Sequence, residues 1–279
     1  MNNAQDFAER VKKFYYYRAF LCEQLISKEI TVNGRSIKMA PEDFNPFENF
    51  HIDAYVIGCA AIDGLASIWE SISQRKLSDK QNRFTAFLIH LDIHSRMERI
   101  CTPFLVFSLK KQGIEEPFAK EIEAKWLKAR RECESHPVYA DPTISELTTI
   151  YEECHRQHLI SDTLSLKNPD LEIAGLTYAS LIYKLYRCSF VHEFRASQFA
   201  TFFNRGNEIS VREFAASISP SGVERNSEVK PQLDIGIGVL TENIRRGADT
   251  IFDLIVDQQF TDIPYGSNYE IKLGVKKTK

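Results

Sequence analysis

Residues 50–73 of this chain are strongly apolar and dense in small side chains, with Gly58, Cys59, Ala60, Ala61, Gly64 and Ala66 among them. A helix with so little bulk on its surface lets another helix approach closely, so the stretch predicts a central buried helix that needs helical partners. The rest of the chain supplies them. Phe7, Val11, Phe14, Leu21 and Leu25 recur at helical spacing over residues 4–28 and predict an amphipathic opening helix. The run 79–111 is helical in pattern with a kink or break expected at Pro103, and residues 115–134 form a charged helix around Trp126 that His136 and Pro137 end. Asp141 and Pro142 suit the cap and first turn of a helix reaching about residue 158. Asn168, Pro169 and Asp170 open the longest helix, expected to run to about Phe203 before Asn204, Arg205, Gly206 and Asn207 stop it. A last helix is expected at about 240–258, ahead of a basic tail.

β structure is confined to short pieces. Residues 30–37 flank Asn33-Gly34, the pair best suited to a tight hairpin turn, and Pro41 and Pro46 keep the following stretch irregular. Residues 208–212 and 233–237 alternate as short strands do, joined by a polar loop around 219–222. The fold class is therefore mainly α, a helical bundle with a small β-hairpin or strand appendage. We read one domain over 1–279, with its core at about 50–203 and C-terminal strands and helix at about 207–258.

With 279 residues, 43% hydrophobic and 26% charged, the composition is that of a globular protein able to bury a sizeable core. A formal net charge of −3 argues against a generally basic protein that coats nucleic acid, while leaving room for one local cationic groove. The start lacks the basic and apolar regions of a signal peptide, and no segment has about 18 uninterrupted apolar residues. The expectation is a cytoplasmic protein with no membrane contact. Its six cysteines are widely spaced without a CxxC pair, as reduced core residues are.

One stretch suggests chemistry. Tyr183, Lys184, Leu185, Tyr186, Arg187, Cys188, Ser189, Phe190, Val191, His192, Glu193, Phe194 and Arg195 put an arginine, which holds phosphate, near a histidine, which moves protons at neutral pH. On a helix advancing about 100° per residue, Ile182, Tyr183, Tyr186, Phe190 and Phe194 gather on a core face. Lys184, Cys188, His192 and Arg195 gather on another, with Arg187 at its edge. Arg187 and His192 then stand about 140° apart, so that a site built from both calls for two copies of this helix side by side. The alternative is a surface arginine and an ordinary helix histidine. The loose spacing also occurs at Arg83/His90, Arg130/His136 and Arg131/His136, but only Arg187/His192 lies well inside a long amphipathic helix.

Other constellations carry less. Cys133, His136, Cys154 and His158 offer enough ligands for tetrahedral zinc, without a standard finger spacing. His90 and His94 are four apart on an expected helix and lack a third ligand. Asp53 and Asp63 point apart and make no acid pair. Asp234, Gly236 and Gly238 lack the rest of a dinucleotide-binding loop and suit a close-packed turn. No metal and no cofactor is expected.

The text from Leu185 to Phe194, in the form Tyr-Arg, four residues, His-Glu, aromatic, resembles the HEPN superfamily, and the helix around Ala54 to Leu65 is similar to that family's small-residue core helix. The resemblance covers roughly 50–203. It implies a metal-independent endoribonuclease that acts as a homodimer, a toxin or antiphage effector, with RNA as partner and an antitoxin or regulatory protein as a further one. It implies that His192 acts as general base or acid and that Arg187 stabilises charge on the phosphate, giving a 2′,3′-cyclic phosphate and a 5′-hydroxyl. Lys184 and Arg195 would contact flanking phosphates, with Cys188, Ser189 and Glu193 in support. Active members usually carry Asn, Asp or His after the arginine, where this chain has Cys188, a weak hydrogen-bond former four residues from His192. That departure leaves open a second reading, a non-catalytic interaction protein on the same fold.

Overall fold

The structure is a computed structural model that describes residues 3–27, 29–32, 35–38, 49–77, 79–111, 116–133, 136–157, 173–193, 197–201, 206–215 and 229–261. Helices dominate the described residues, which also hold one hairpin and one three-stranded sheet. Helix α1 (Asn3–Ser27), helix α2 (Asn49–Ile72) and the C-terminal helix α9 (Ile237–Asp257) pack on one another. The small residues of α2 permit this closeness. A Cβ on Gly58 would meet Leu240 of α9 at 3.2 Å, and one on Gly64 would meet the Tyr15 hydroxyl of α1 at 2.7 Å. Strands β1 (Glu29–Val32) and β2 (Arg35–Lys38) pair antiparallel with Val32 opposite Arg35, as the hairpin reading expects. The stretch around Pro41 and Pro46 and the loop 219–222 lie outside the described residues.

The break expected at Pro103 comes earlier. Helix α3 (Lys80–Leu91) ends where the Asp92 carboxylate accepts from the backbone N–H of Met97 at 2.6 Å and of His94 at 3.3 Å. That local turn competes with the helix ladder. Helix α4 (Thr102–Lys111) then starts afresh with Pro103 in its first turn, where a missing N–H costs nothing. Helix α5 (Glu116–Ile122), a π-helical turn (Glu123–Leu127) and helix α6 (Lys128–Glu132) form the run expected around Trp126, whose side chain is buried.

Asp141 does not cap the next helix. Thr143 does, closing a reciprocal capping box with Glu146 ahead of helix α7 (Ile144–Arg156). Asp141 instead is buried and accepts from Thr102 Oγ1 at 2.7 Å, from the Tyr178 hydroxyl at 2.5 Å and from Arg130. This satisfied polar cluster lies where a second apolar core, built on Leu105, Phe118, Ile122, Trp126 and Leu147, meets the first.

The longest helix departs furthest from expectation. It is capped by Thr177, not near Asn168, and residues 158–172 lie outside the described ones. After helix α8 (Tyr178–Ile182), residues Tyr183–Glu193 form an 11-residue π-helix. The chain does not stay helical to Phe203, because Ala200 and Thr201 form strand β3, parallel to strand β5 (Val229–Ile235). Strand β4 (Ile209–Ala215) pairs antiparallel with the other edge of β5. Tyr186 ties the π-helix to this sheet. Its hydroxyl lies 2.6 Å from the Thr201 carbonyl and 2.7 Å from that of Leu233, and accepts from the Ile235 N–H at 3.1 Å. Gly236 and Gly238 make the expected close turn into α9, where a Cβ on Gly238 would meet the Gly206 carbonyl at 2.8 Å.

Among the described residues one helix, Phe50–Ile72, is by length and composition apolar enough to cross a membrane, although 56% of its apolar window is buried inside the fold.

Candidate active site

The π-helix changes the geometry that a 3.6-residue helix implies. Hydrogen bonds from i to i+5 bring residues five apart above one another. Arg187 and His192 are such a pair, and Arg187 Nη1 lies 2.7 Å from His192 Nε2. They meet within one chain. The expectation that a single copy points them apart is thereby corrected, and with it the geometric ground for requiring two copies.

Placing the two side chains is the work of the opposite face. Tyr186 and Phe190 are fully buried, and Tyr55 of α2 stacks on both at 5.5 and 5.6 Å between ring centroids. Tyr183 and Ile182 are buried as expected. Arg187, expected at the edge of a cationic surface, is itself only 7% exposed. Such burial of a guanidinium requires a counter-charge. Asp63 of α2 supplies it, with Oδ2 at 2.9 Å from Arg187 Nη2. Burial disfavours the charged guanidinium, but the Asp63 hydrogen bond and charge outweigh it and raise its pKa. The other Asp63 oxygen lies 3.3 Å from Arg83, which also pairs with Glu70 at 3.4 Å, so the carboxylate is fixed from both sides. Arg187 also lies over the Tyr183 ring at 5.3 Å, while its Nε finds no hydrogen-bond partner among the described residues.

A guanidinium has donors only, so the His192 Nε2 that it meets is an acceptor and the neutral ring carries its proton on Nδ1. His192 is exposed, so the pair joins a buried, anchored cation to an imidazole open to solvent. A 3.6-residue helix would set Cys188 beside the imidazole. Cys188 is half-buried, and the Tyr183 phenol five residues back is pushed up mainly by burial, with the Arg187 charge opposing the shift. Lys184 and Ser189 are half-buried and Glu193 is exposed on the same π-helix, while Arg195 lies outside the described residues.

Asp63 is the site residue that reading the sequence missed. The available signal was a carboxylate flanked by Ala61, Ile62, Gly64 and Leu65, a position that burial makes costly without a partner.

The remaining constellations separate. Among the described residues no three His, Cys, Asp or Glu side chains converge as a metal site would require. Cys133 donates to the His136 carbonyl at 3.4 Å, Cys154 is buried, and His158 lies outside the described residues. His90 stacks on Trp69 at 5.1 Å, and His94 falls beyond the end of α3, so they do not share a helix face. No model of a known protein family, no curated protein and no solved structure matches this chain.

Proposed function

We propose that this protein is a metal-independent endoribonuclease of the HEPN type, with Arg187 and His192 as its catalytic pair. The observation that carries the reading is the 2.7 Å contact between them, made by one buried and one exposed side chain on a π-helix. π-Helical turns are rare and, where they interrupt α-helices, frequent at functional sites, which adds support.

The geometry suggests an order of events. A substrate phosphate is a better partner for the guanidinium than a neutral imidazole, because both charges then take part in the bond. Binding therefore draws Arg187 Nη1 from His192 and frees the Nε2 lone pair. Nε2 accepts the ribose 2′-hydroxyl proton as the 2′-oxygen attacks phosphorus, and Arg187 stabilises the added charge. The bond from phosphorus to the 5′-oxygen breaks, and that oxygen takes the proton from the imidazolium. The products are a 2′,3′-cyclic phosphate and a 5′-hydroxyl. Asp63 holds Arg187 throughout as a positioning residue. Homodimerisation, an antitoxin partner and a role in defence are carried by the family resemblance alone.

A second reading draws on the same contacts. Both Nη atoms of Arg187 are held inside the chain and Cys188 replaces the usual polar residue, as in a non-catalytic interaction protein. Incubating RNA in chelator with wild type and with His192→Ala separates the two. Cleavage by wild type alone, with 2′,3′-cyclic ends, is expected; equal activity in both, or none in either, leaves the interaction protein.

A further inference from the structure

A groove of about 830 Å³ opens between α4, the helical run 116–132 and the start of β5. Among the described residues its lining includes Lys110, Lys120, Lys128 and Arg131 against a single carboxylate, Glu123. On a chain whose net charge is −3, that is a local surplus of positive charge. Lys110 pairs with Glu123, and Lys128 approaches Glu132 at 3.8 Å with both side chains mostly exposed. A pair as exposed as Lys128 and Glu132 holds weakly and exchanges readily for a competing anion. Between the cations the wall is apolar, with the half-buried Phe107 and Leu127 lining it. Basic side chains around an aromatic and aliphatic floor suit a nucleic-acid strand, whose phosphates meet the charge while its bases stack on the floor.

The groove also connects to the segment beyond the π-helix. The Phe107 ring packs edge-on against Phe199 at 5.7 Å, and Phe199 follows His192 by seven residues. We propose that this groove binds a single strand of RNA, with phosphates on Lys110, Lys120, Lys128 and Arg131 and a base against Phe107. As a substrate track it rests on the ribonuclease reading; as a binding site it is measured separately.

The test uses the full chain carrying His192→Ala, so that a labelled single-stranded RNA of about 12 nucleotides stays intact during anisotropy measurements. Lys120→Glu, Lys128→Glu and Arg131→Glu are added together, with the corresponding glutamine changes as a milder second variant. The changed residues are exposed, and unfolding curves check that the fold persists. The expected result is at least about tenfold weaker binding for the glutamate variant. The slope of log affinity against log salt should fall by about 2, since each of the three phosphates no longer neutralised accounts for about 0.7. Unchanged affinity and slope, or no RNA binding before the groove is altered, would overturn the proposal. So would polyglutamate binding as tightly and displacing the RNA, since the groove would then serve an acidic peptide. RNA bound in the groove but left uncut by wild type sinks the ribonuclease reading alone; cleavage with no effect of the groove variants sinks the groove alone.

Discussion

Asp63 does at the residue scale what Arg187 and His192 cannot do for themselves. Arg187 is buried, so its charge is tolerable only because a carboxylate 124 positions earlier in the chain meets it at 2.9 Å. Replacing Asp63 by asparagine keeps the shape and removes the charge from both Arg187 and Arg83. Hydrogen bonds to charged groups contribute about 1.5–3 kcal/mol, and the pair here is largely shielded from water, so Asp63→Asn is expected to destabilise the fold by about that amount. Urea unfolding measures it, and an unchanged midpoint would mean that Asp63 is not the anchor. Arg187 and His192 are legible in the sequence as candidates because their residue types carry the chemistry. Asp63 is visible there only as one of three carboxylates on a mostly apolar helix, since nothing local says which distant cation a carboxylate will meet. The same holds for Asp141, whose position before Pro142 resembles a cap and whose carboxylate is taken up by Arg130, Tyr178 and Thr102.

Elements are legible where one periodicity suffices and obscure where tertiary contacts choose the register. α1 follows from the spacing of its apolar residues and α2 from its density of small and apolar ones. The π-helix does not, because Tyr183, Tyr186 and Phe190 suit the core under either register over so short a span. The sheet helps to hold the observed one, with the Tyr186 hydroxyl between Leu233, Ile235 and Thr201. The start of α7 is the clearest local device. Thr143 Oγ1 accepts from the Glu146 N–H at 3.2 Å, and the Glu146 carboxylate accepts from the Thr143 N–H at 2.8 Å. Loss of such a cap costs about 1 kcal/mol, so Thr143→Ala should lower stability by that much at neutral pH. The other half of the box, the Glu146 carboxylate, depends on pH. The backbone hydrogen bond from Thr143 lowers the Glu146 pKa below its ordinary 4.5. A carboxylate depressed in the folded state binds fewer protons there than when unfolded, so its contribution is full above about that value and fades as pH falls through the folded pKa. Denaturation of Glu146→Gln, which keeps the shape and removes the carboxylate, and of wild type should therefore converge in acid. A gap that persists or widens there contradicts the capping box as its source.

At the scale of the whole molecule, α9 closes the fold against α2 and α3, and Gly247 sits at that crossing. A Cβ there would meet Phe87 at 2.9 Å and Leu65 at 3.1 Å. Two effects oppose each other in Gly247→Ala. Alanine in a helix interior gains about 1 kcal/mol over glycine by restricting the unfolded chain. An added methyl in a close-packed core costs about 1–3 kcal/mol when its neighbours cannot yield. Phe87 is fully buried and packs on Trp69 at 5.5 Å, and Leu65 is fully buried as well, so neither can swing into solvent to make room. Crowding should win, with a net loss of about 1 kcal/mol and a lower urea midpoint. The Arg187–His192 contact depends on the same α2 that α9 braces, so displacement of α2 is expected to slow any RNA cleavage as well. A raised midpoint would mean that helix propensity dominates and that α9 crosses with room to spare.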